Sequence, residues 1–291
     1  MKISIVFMVK DSEKYCYFFG KLINILEEQY AYDFEYFVYE NDSSDLTKTC
    51  LHNFMKNRKG MLITENTYNP CNKDNKKNNM EGILKSRGIH MCRLRNKLKK
   101  YHGILYSDYT LLIDSDVIFH EKTLKKMLDV FKYNSNIAMV TPYCICYKMF
   151  LLYNDDHHYY DSFAVQTNGK RVTWKNNDNT CMFSQCERCI NYRKALNINI
   201  DDADLFKMDL ESESDLEYVD SAFGGFCLIK TDVYNKIEWG ETICEHHSFC
   251  DNVKQFGEIV IAKKIKTFTT VPEHSNLKEF LNMVSILKRY Y

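Results

Sequence analysis

The chain reads as an α/β fold, a mostly parallel sheet flanked by helices with an irregular insertion after its acidic strand. Three observations predict it. Short β-forming runs alternate with amphipathic helical stretches over the first 140 residues and again beyond residue 215, the pattern of repeated strand and helix units. Polar clusters follow the strand runs, at the edge where open α/β sheets bind ligands. The run YTLLIDSDVIF, residues 109–119, delivers two carboxylates, Asp114 and Asp116, from the end of a buried strand.

Taken in order, Ile3 to Val9 predicts the first strand, and Lys10 to Glu13 form a polar turn carrying Asp11. The next segment spaces Phe18, Leu22, Ile25 and Leu26 for a buried helical stripe. Phe34 to Tyr39 is a second strand, followed at once by Glu40, Asn41, Asp42, Ser43, Ser44 and Asp45. Such a cluster either hydrogen-bonds a ribose or base edge, or caps the next helix through Ser43 or Asp45. Gly60 closes that helix, and Met61 to Thr64 gives a third strand. Residues 66–80 are polar and form a loop. A basic helix follows, with Leu94, Leu98 and Tyr101 inward and Arg93 and Arg95 facing either a diphosphate or solvent.

Two acids one residue apart at a strand end suit a divalent cation that also holds phosphate oxygens. An aspartate there can equally be a turn acid. Thr123 can cap the helix bearing Leu124, Met127, Leu128 and Phe131, and Ile137 to Val140 is the next strand. Residues 141–215 read as a variable insertion, in which Tyr159, Tyr160 and Trp174 offer either sugar-stacking surfaces or core. Cys186 and Cys189 have CxxC spacing there, compatible with structural zinc or with ordinary thiols. Order returns at Phe226 to Ile229, preceded by Gly224 and Gly225, which permit close backbone approach. Glu245, His246 and His247 head an amphipathic segment with Phe249, Val253 and Phe256. Leu277 to Leu287 is a C-terminal helix. The organisation expected is a single domain over 1–291, with a nucleotide-binding half at 1–140 and an acceptor-side half at 216–291.

Lysine plus arginine and aspartate plus glutamate each total 39, so no net charge draws the chain to nucleic acid. With neither a secretory signal nor an apolar run of membrane-spanning length, a soluble cytoplasmic protein is expected, its 12 cysteines mostly reduced thiols. No oligomeric state is implied. The glycines compose neither GxGxxG nor GxxxxGK[ST], so phosphate must be met by metal and side chains.

In order, IVFMVKD at 5–11, YENDSSD at 39–45, RLRN at 93–96, LLIDSD at 111–116, FGGFCLIK at 223–230 and CEHHSFC at 244–250 resemble the GT-A glycosyltransferases, and among them the Anp1/Mnn9-like and glycosyltransferase 2-like proteins. The resemblance implies a GT-A fold and a metal-dependent transfer from a UDP- or GDP-sugar to a hydroxyl acceptor, a glycan above all. It places Asp11, Glu40 and Asn41 at the nucleotide and Arg95 at the diphosphate. Asp116 falls on a direct Mn²⁺ or Mg²⁺ ligand, and Asp114 contacts the ribose or the metal's water. Gly224 and Gly225 border the acceptor, and His274 is a late metal ligand. Glu245, with His247 as second choice, is the base if the anomeric centre inverts, and Glu245 positions the acceptor if it is retained. Two rival readings are a nucleotidyltransferase, for which a Gly- and Lys-containing triphosphate loop is missing, and a noncatalytic carbohydrate-binding protein.

Overall fold

The computed structural model describes residues 1–67, 80–147, 150–151, 159–160, 164–167, 170–171, 214–241, 244–270 and 276–291. In chain order the strands are β1 (Lys2–Val9), β2 (Asp33–Asn41), β3 (Gly60–Glu65), β4 (Tyr109–Ile113), β5 (Val117–Phe119), β6 (Ile137–Cys146), β7 (Gln166–Thr167), β8 (Lys170–Arg171), β9 (Leu216–Val219), β10 (Phe226–Lys230) and β11 (Glu258–Thr269). The helices are α1 (Glu13–Gln29), α2 (Thr47–Met55), α3 (Met80–His102), α4 (Thr123–Tyr133), α5 (Thr231–Lys236), α6 (Glu245–Lys254) and α7 (Leu277–Leu287).

Among the described residues the main sheet has the order β3-β2-β1-β4-β10-β6-β11-β5, with β9 added to β11. Pairing is parallel across β3, β2, β1 and β4 and again between β6 and β11. It turns antiparallel where β10 enters between β4 and β6, and where β5 and β9 join β11. The sheet is therefore mixed, where the sequence suggested mostly parallel. The fold is α/β with a central mixed sheet between helices. The inversion at β10 has a local consequence. Phe226 pairs with Ile113, so the start of β10 and the end of β4 share one edge.

The core explains most elements directly. Ile3, Ile5, Val38, Leu111, Ile113 and Leu228 are buried within the sheet, covered by Phe19, Ile23 and Leu26 of α1 and by Leu124, Met127 and Leu128 of α4. At about 25 cal/mol per Å² of apolar surface removed from water, such layers supply the main driving force for folding. Some expected faces differ. Ile25, Tyr101 and Phe256 are exposed, while Ile23, Leu98 and Val253 carry the buried stripes beside them. Thr123 opens α4 without capping it, and its hydroxyl pairs with that of Tyr291 at 2.7 Å. Gly60 starts β3 instead of closing α2. Its φ is +124°, and a Cβ there would lie 1.9 Å from the Tyr36 carbonyl oxygen. β6 runs to Cys146, beyond the expected end at Val140. No described helix is long and apolar enough to cross a membrane.

Candidate active site

Asp114 leaves β4 at the edge shared with β10. Its N–H donates to the Gly225 carbonyl at 2.7 Å. Gly225 has φ +67°, and a Cβ on it would come within 2.7 Å of Val117 Cγ2 and 3.2 Å of Asp114 Oδ2. Gly224, with φ +62°, would bring a Cβ to 2.9 Å from the Tyr159 hydroxyl. Both positions thus need a residue without a side chain, and the glycine pair lets the chain lie flat against the carboxylate. Asp114 keeps part of its surface open to solvent. Burial pushes its carboxyl from the ordinary 3.8 up to about 6; Arg95 opposes the rise and Glu245 adds to it. Asp116 sits in the turn before β5, its carbonyl accepting from the Thr270 N–H at 3.0 Å.

Arg95 projects from α3 into an aromatic clamp. Its guanidinium carbon lies 4.5 Å from the Trp239 ring centroid and 5.2 Å from that of Phe223. Its Nε is buried with no hydrogen-bond partner. A cation held by ring faces near two carboxylates, with a donor left unmade, is prepared for an anionic ligand.

Glu245 is the first residue of α6. Burial works against its charge, yet His246, Arg95, its own backbone amide and Arg87 together hold its pKa below the ordinary range. His246 stacks on Phe223 at 4.2 Å between centroids, and its Nε2 is 3.6 Å from Glu245 Oε1. Burial pushes that imidazole down to about 4, so it is neutral at pH 7. At that pH Arg95, the helix N-terminus and Arg87 are what keep Glu245 ionised. His247 is buried, its N–H donating to the Cys244 carbonyl at 3.1 Å.

The other sequence candidates lie at the ends of β1 and β2. Asp11, at φ +45°, accepts from the N–H and hydroxyl of Ser44 at 2.8 and 3.1 Å. Glu40 and Asn41 belong to β2 itself and are buried, not set in the turn after it. Glu40 accepts from the Ser43 N–H at 2.8 Å, with Lys48 3.8 Å from its other oxygen. Asn41 donates to Asp42 at 3.1 Å. His274, Trp174, Cys186 and Cys189 lie outside the described residues. The structure thus gathers Asp114, Arg95, Glu245 and Gly225, and leaves Asp11, Glu40 and Asn41 along the neighbouring strand ends.

Among the described residues no group of three or more His, Cys, Asp or Glu side chains converges on one point. A Mg²⁺ or Mn²⁺ ion that arrives with a diphosphate needs only one or two carboxylates, since phosphate and water oxygens complete its shell. Asp114 and Asp116, one residue apart, offer that number of carboxylates. They do not form a self-sufficient metal cage.

Sequence reasoning missed Trp239 and Phe223 as the holders of Arg95. The available signal was that Trp239 is one of only two tryptophans and stands just before the CEHHSFC segment.

No protein-family model and no curated protein matches the chain. Solved structures similar to it include a fragment of S. aureus TarS, at 14% identity and TM-score 0.48, covering 100% of this chain and 65% of that one. A longer S. aureus TarS structure matches at 14% identity and TM-score 0.47, covering 98% of this chain and 39% of that one. The mannosyltransferase PcManGT from Pyrobaculum calidifontis, solved with GDP-Man and Mn²⁺, matches at 9% identity and TM-score 0.49, covering 93% and 57%. The chain thus spans under two thirds of the length of each. The narrower resemblance to Anp1/Mnn9-like proteins has no matching family model behind it. At such identities, function has to be read from the site's own chemistry.

Proposed function

We propose that the protein is a metal-dependent glycosyltransferase that moves a sugar from a UDP- or GDP-sugar to a hydroxyl acceptor, a glycan in the first instance. One observation carries this reading. Arg95, its Nε unpartnered, is clamped by Trp239 and Phe223 beside the partly buried carboxylates of Asp114 and Glu245 at the ligand-binding edge of the sheet.

Arg95 donates to diphosphate oxygens, where negative charge grows as the leaving group departs. Asp116 and Asp114 would hold Mn²⁺ or Mg²⁺, which when bound supplies charge neutralisation at the same oxygens. The nucleoside lies along the ends of β1 and β2, against the wall shaped by Asp11, Glu40 and Asn41. The acceptor enters past Gly224 and Gly225. For an inverting transfer, Glu245 takes the acceptor's hydroxyl proton as the new bond to the anomeric carbon forms and the bond to the diphosphate oxygen breaks. Its lowered pKa keeps it in the proton-accepting form at neutral pH.

The test is calorimetry and turnover with UDP- and GDP-sugars in Mn²⁺, Mg²⁺ or EDTA. One donor should bind only with metal and slowly release its nucleoside diphosphate, and Asp116→Asn should abolish that turnover while the protein stays folded. Folded protein that binds no nucleotide sugar under any metal condition would overturn the reading.

A further inference from the structure

The clamp around Arg95 raises the question of what holds the clamp. Phe223 is fixed by the sheet, since it directly precedes the glycine pair and β10. Trp239 is not; it lies in residues 237–241, a connection between α5 and α6 with no regular structure. Such a stretch has to be tied down from outside, and α3 does it. Asn96 donates its Nδ2 to the Trp239 carbonyl at 2.8 Å and accepts from the Trp239 N–H at 2.9 Å, so both backbone groups of that residue are engaged by one side chain. On the same helix, Cys92 Sγ meets the Gly240 carbonyl at 2.8 Å, and Arg93 pairs with Glu241 at 2.7 Å. Lys99 donates to the carbonyls of Tyr234 and Ile237. From the other side, the Ser248 hydroxyl of α6 bonds both the N–H and the carbonyl of Gly240.

The indole is thereby set face to face with Phe249, at 4.0 Å and 14°, with the Arg95 guanidinium near its ring. Arg95 and Asn96 are adjacent in sequence but meet the same residue differently: the Arg95 guanidinium lies by the Trp239 ring, and the Asn96 amide holds that residue's backbone.

We propose that Asn96 and Trp239 are positioning residues for Arg95: the amide of Asn96 locks the backbone of Trp239, whose indole aims the guanidinium at the phosphates. This rests on the reading of Arg95 as a diphosphate ligand. Arginine is a long, rotamer-rich side chain, and holding it in place before binding spares the ligand that ordering cost.

The experiment measures the affinity of UDP and GDP, with Mn²⁺, by calorimetry on folded variants. Wild type should bind one of them, and Arg95→Ala should lose it. Asn96→Ala should weaken binding by ~10-fold, the scale expected when a cation–π contact is lost and a charged group is misplaced. Trp239→Leu should do the same, whereas Trp239→Phe, which keeps an aromatic face, should recover most of the affinity. A merely structural role would lower thermal stability in all three variants and leave the affinity of the folded fraction unchanged. In a Trp174→Phe background Trp239 is the sole tryptophan, and nucleotide should then change its emission; Asn96→Ala should make it more accessible to acrylamide. Should Trp239→Leu not fold, Asn96→Ala and this quenching carry the test. Wild type and Arg95→Ala behaving as stated, with Asn96→Ala binding like wild type, would overturn the positioning role alone. Wild type that binds neither nucleotide removes the functional reading, and this inference with it.

Discussion

Asp45 and Asp114 both follow strands at the same edge of one sheet, and their surroundings treat them in opposite ways. Asp45 accepts from the N–H of Thr47 at 3.0 Å and from that of Glu13 at 3.1 Å, bracing the starts of α2 and α1 together. Burial opposes its charge, but the donors of Thr47 and Glu13 win and hold its carboxyl below the ordinary range. Asp114 is enclosed by β10, and no comparable set of donors repays its burial, so its carboxyl rises to about 6. One aspartate is at rest in its folded partners. The other is held at a cost that Arg95 offsets only in part. Equal positions in the topology thus meet different surroundings: hydrogen-bond donors hold one carboxyl down, and burial pushes the other up.

The sharpest way to break that comparison is Asp114→Asn. The folded pKa of Asp114 lies above its unfolded value, so its contribution to stability is full below the ordinary 3.8 and is lost as pH rises through about 6. At pH 7 the ionised group therefore weighs against the fold. Replacing it with the neutral isostere should raise unfolding stability by about 1–3 kcal/mol at pH 7, with the gain vanishing near pH 4. Metal-dependent nucleotide binding should be lost in the same variant. Urea unfolding at the two pH values reads the first effect and calorimetry the second. A destabilised Asp114→Asn would place this aspartate with the braces.

Asp45→Ala should do the reverse. Its lowered pKa means its stabilisation is present above the ordinary carboxylate range and lost as pH falls through the folded value. Removing the two helix-start hydrogen bonds should cost about 1–2 kcal/mol at pH 7, with the difference from wild type shrinking in acid. Nucleotide affinity should stay near that of wild type. A large loss of affinity at unchanged stability would move Asp45 into the site.

The difference between the two regions also marks what was legible in the sequence. The strand carrying Asp114 and Asp116 was readable because apolar β-formers followed by acids form a local pattern. The brace at Asp45 was readable as a capping alternative for the same reason. Glu40 and Asn41 were placed one step wrong, since β2 runs on through two polar residues that the sheet buries. The mixed sheet escaped because strand direction is fixed by the pairing of β10 with β4 and β6, contacts between segments far apart in the chain. The clamp on Arg95 was hidden for the same cause. Asn96 and Trp239 are 143 residues apart, and no periodicity connects them.

The smallest effect is expected at His246, and it tests how the site keeps Glu245 charged. The imidazole is the nearest titratable neighbour of Glu245, at 3.6 Å, and a charged ring there would be the obvious reason for a lowered carboxyl pKa. Its burial against Phe223 and Trp239 pushes it down to about 4, and Arg95 and His247 disfavour a second positive charge as well. Above pH 5 the ring is therefore neutral, and Arg95, followed by Arg87, is the cation that Glu245 senses. His246→Phe keeps an aromatic ring on Phe223 and removes only the titratable nitrogens. The acid limb of the turnover profile should then stay where wild type has it, whereas Arg95→Lys, which loses the planar stack on Trp239, should move it upward as Glu245 and Asp114 both become harder to ionise. An upward move in His246→Phe instead would show a protonated ring at working pH, and the charge balance of the site would rest on the histidine and not on the clamped arginine.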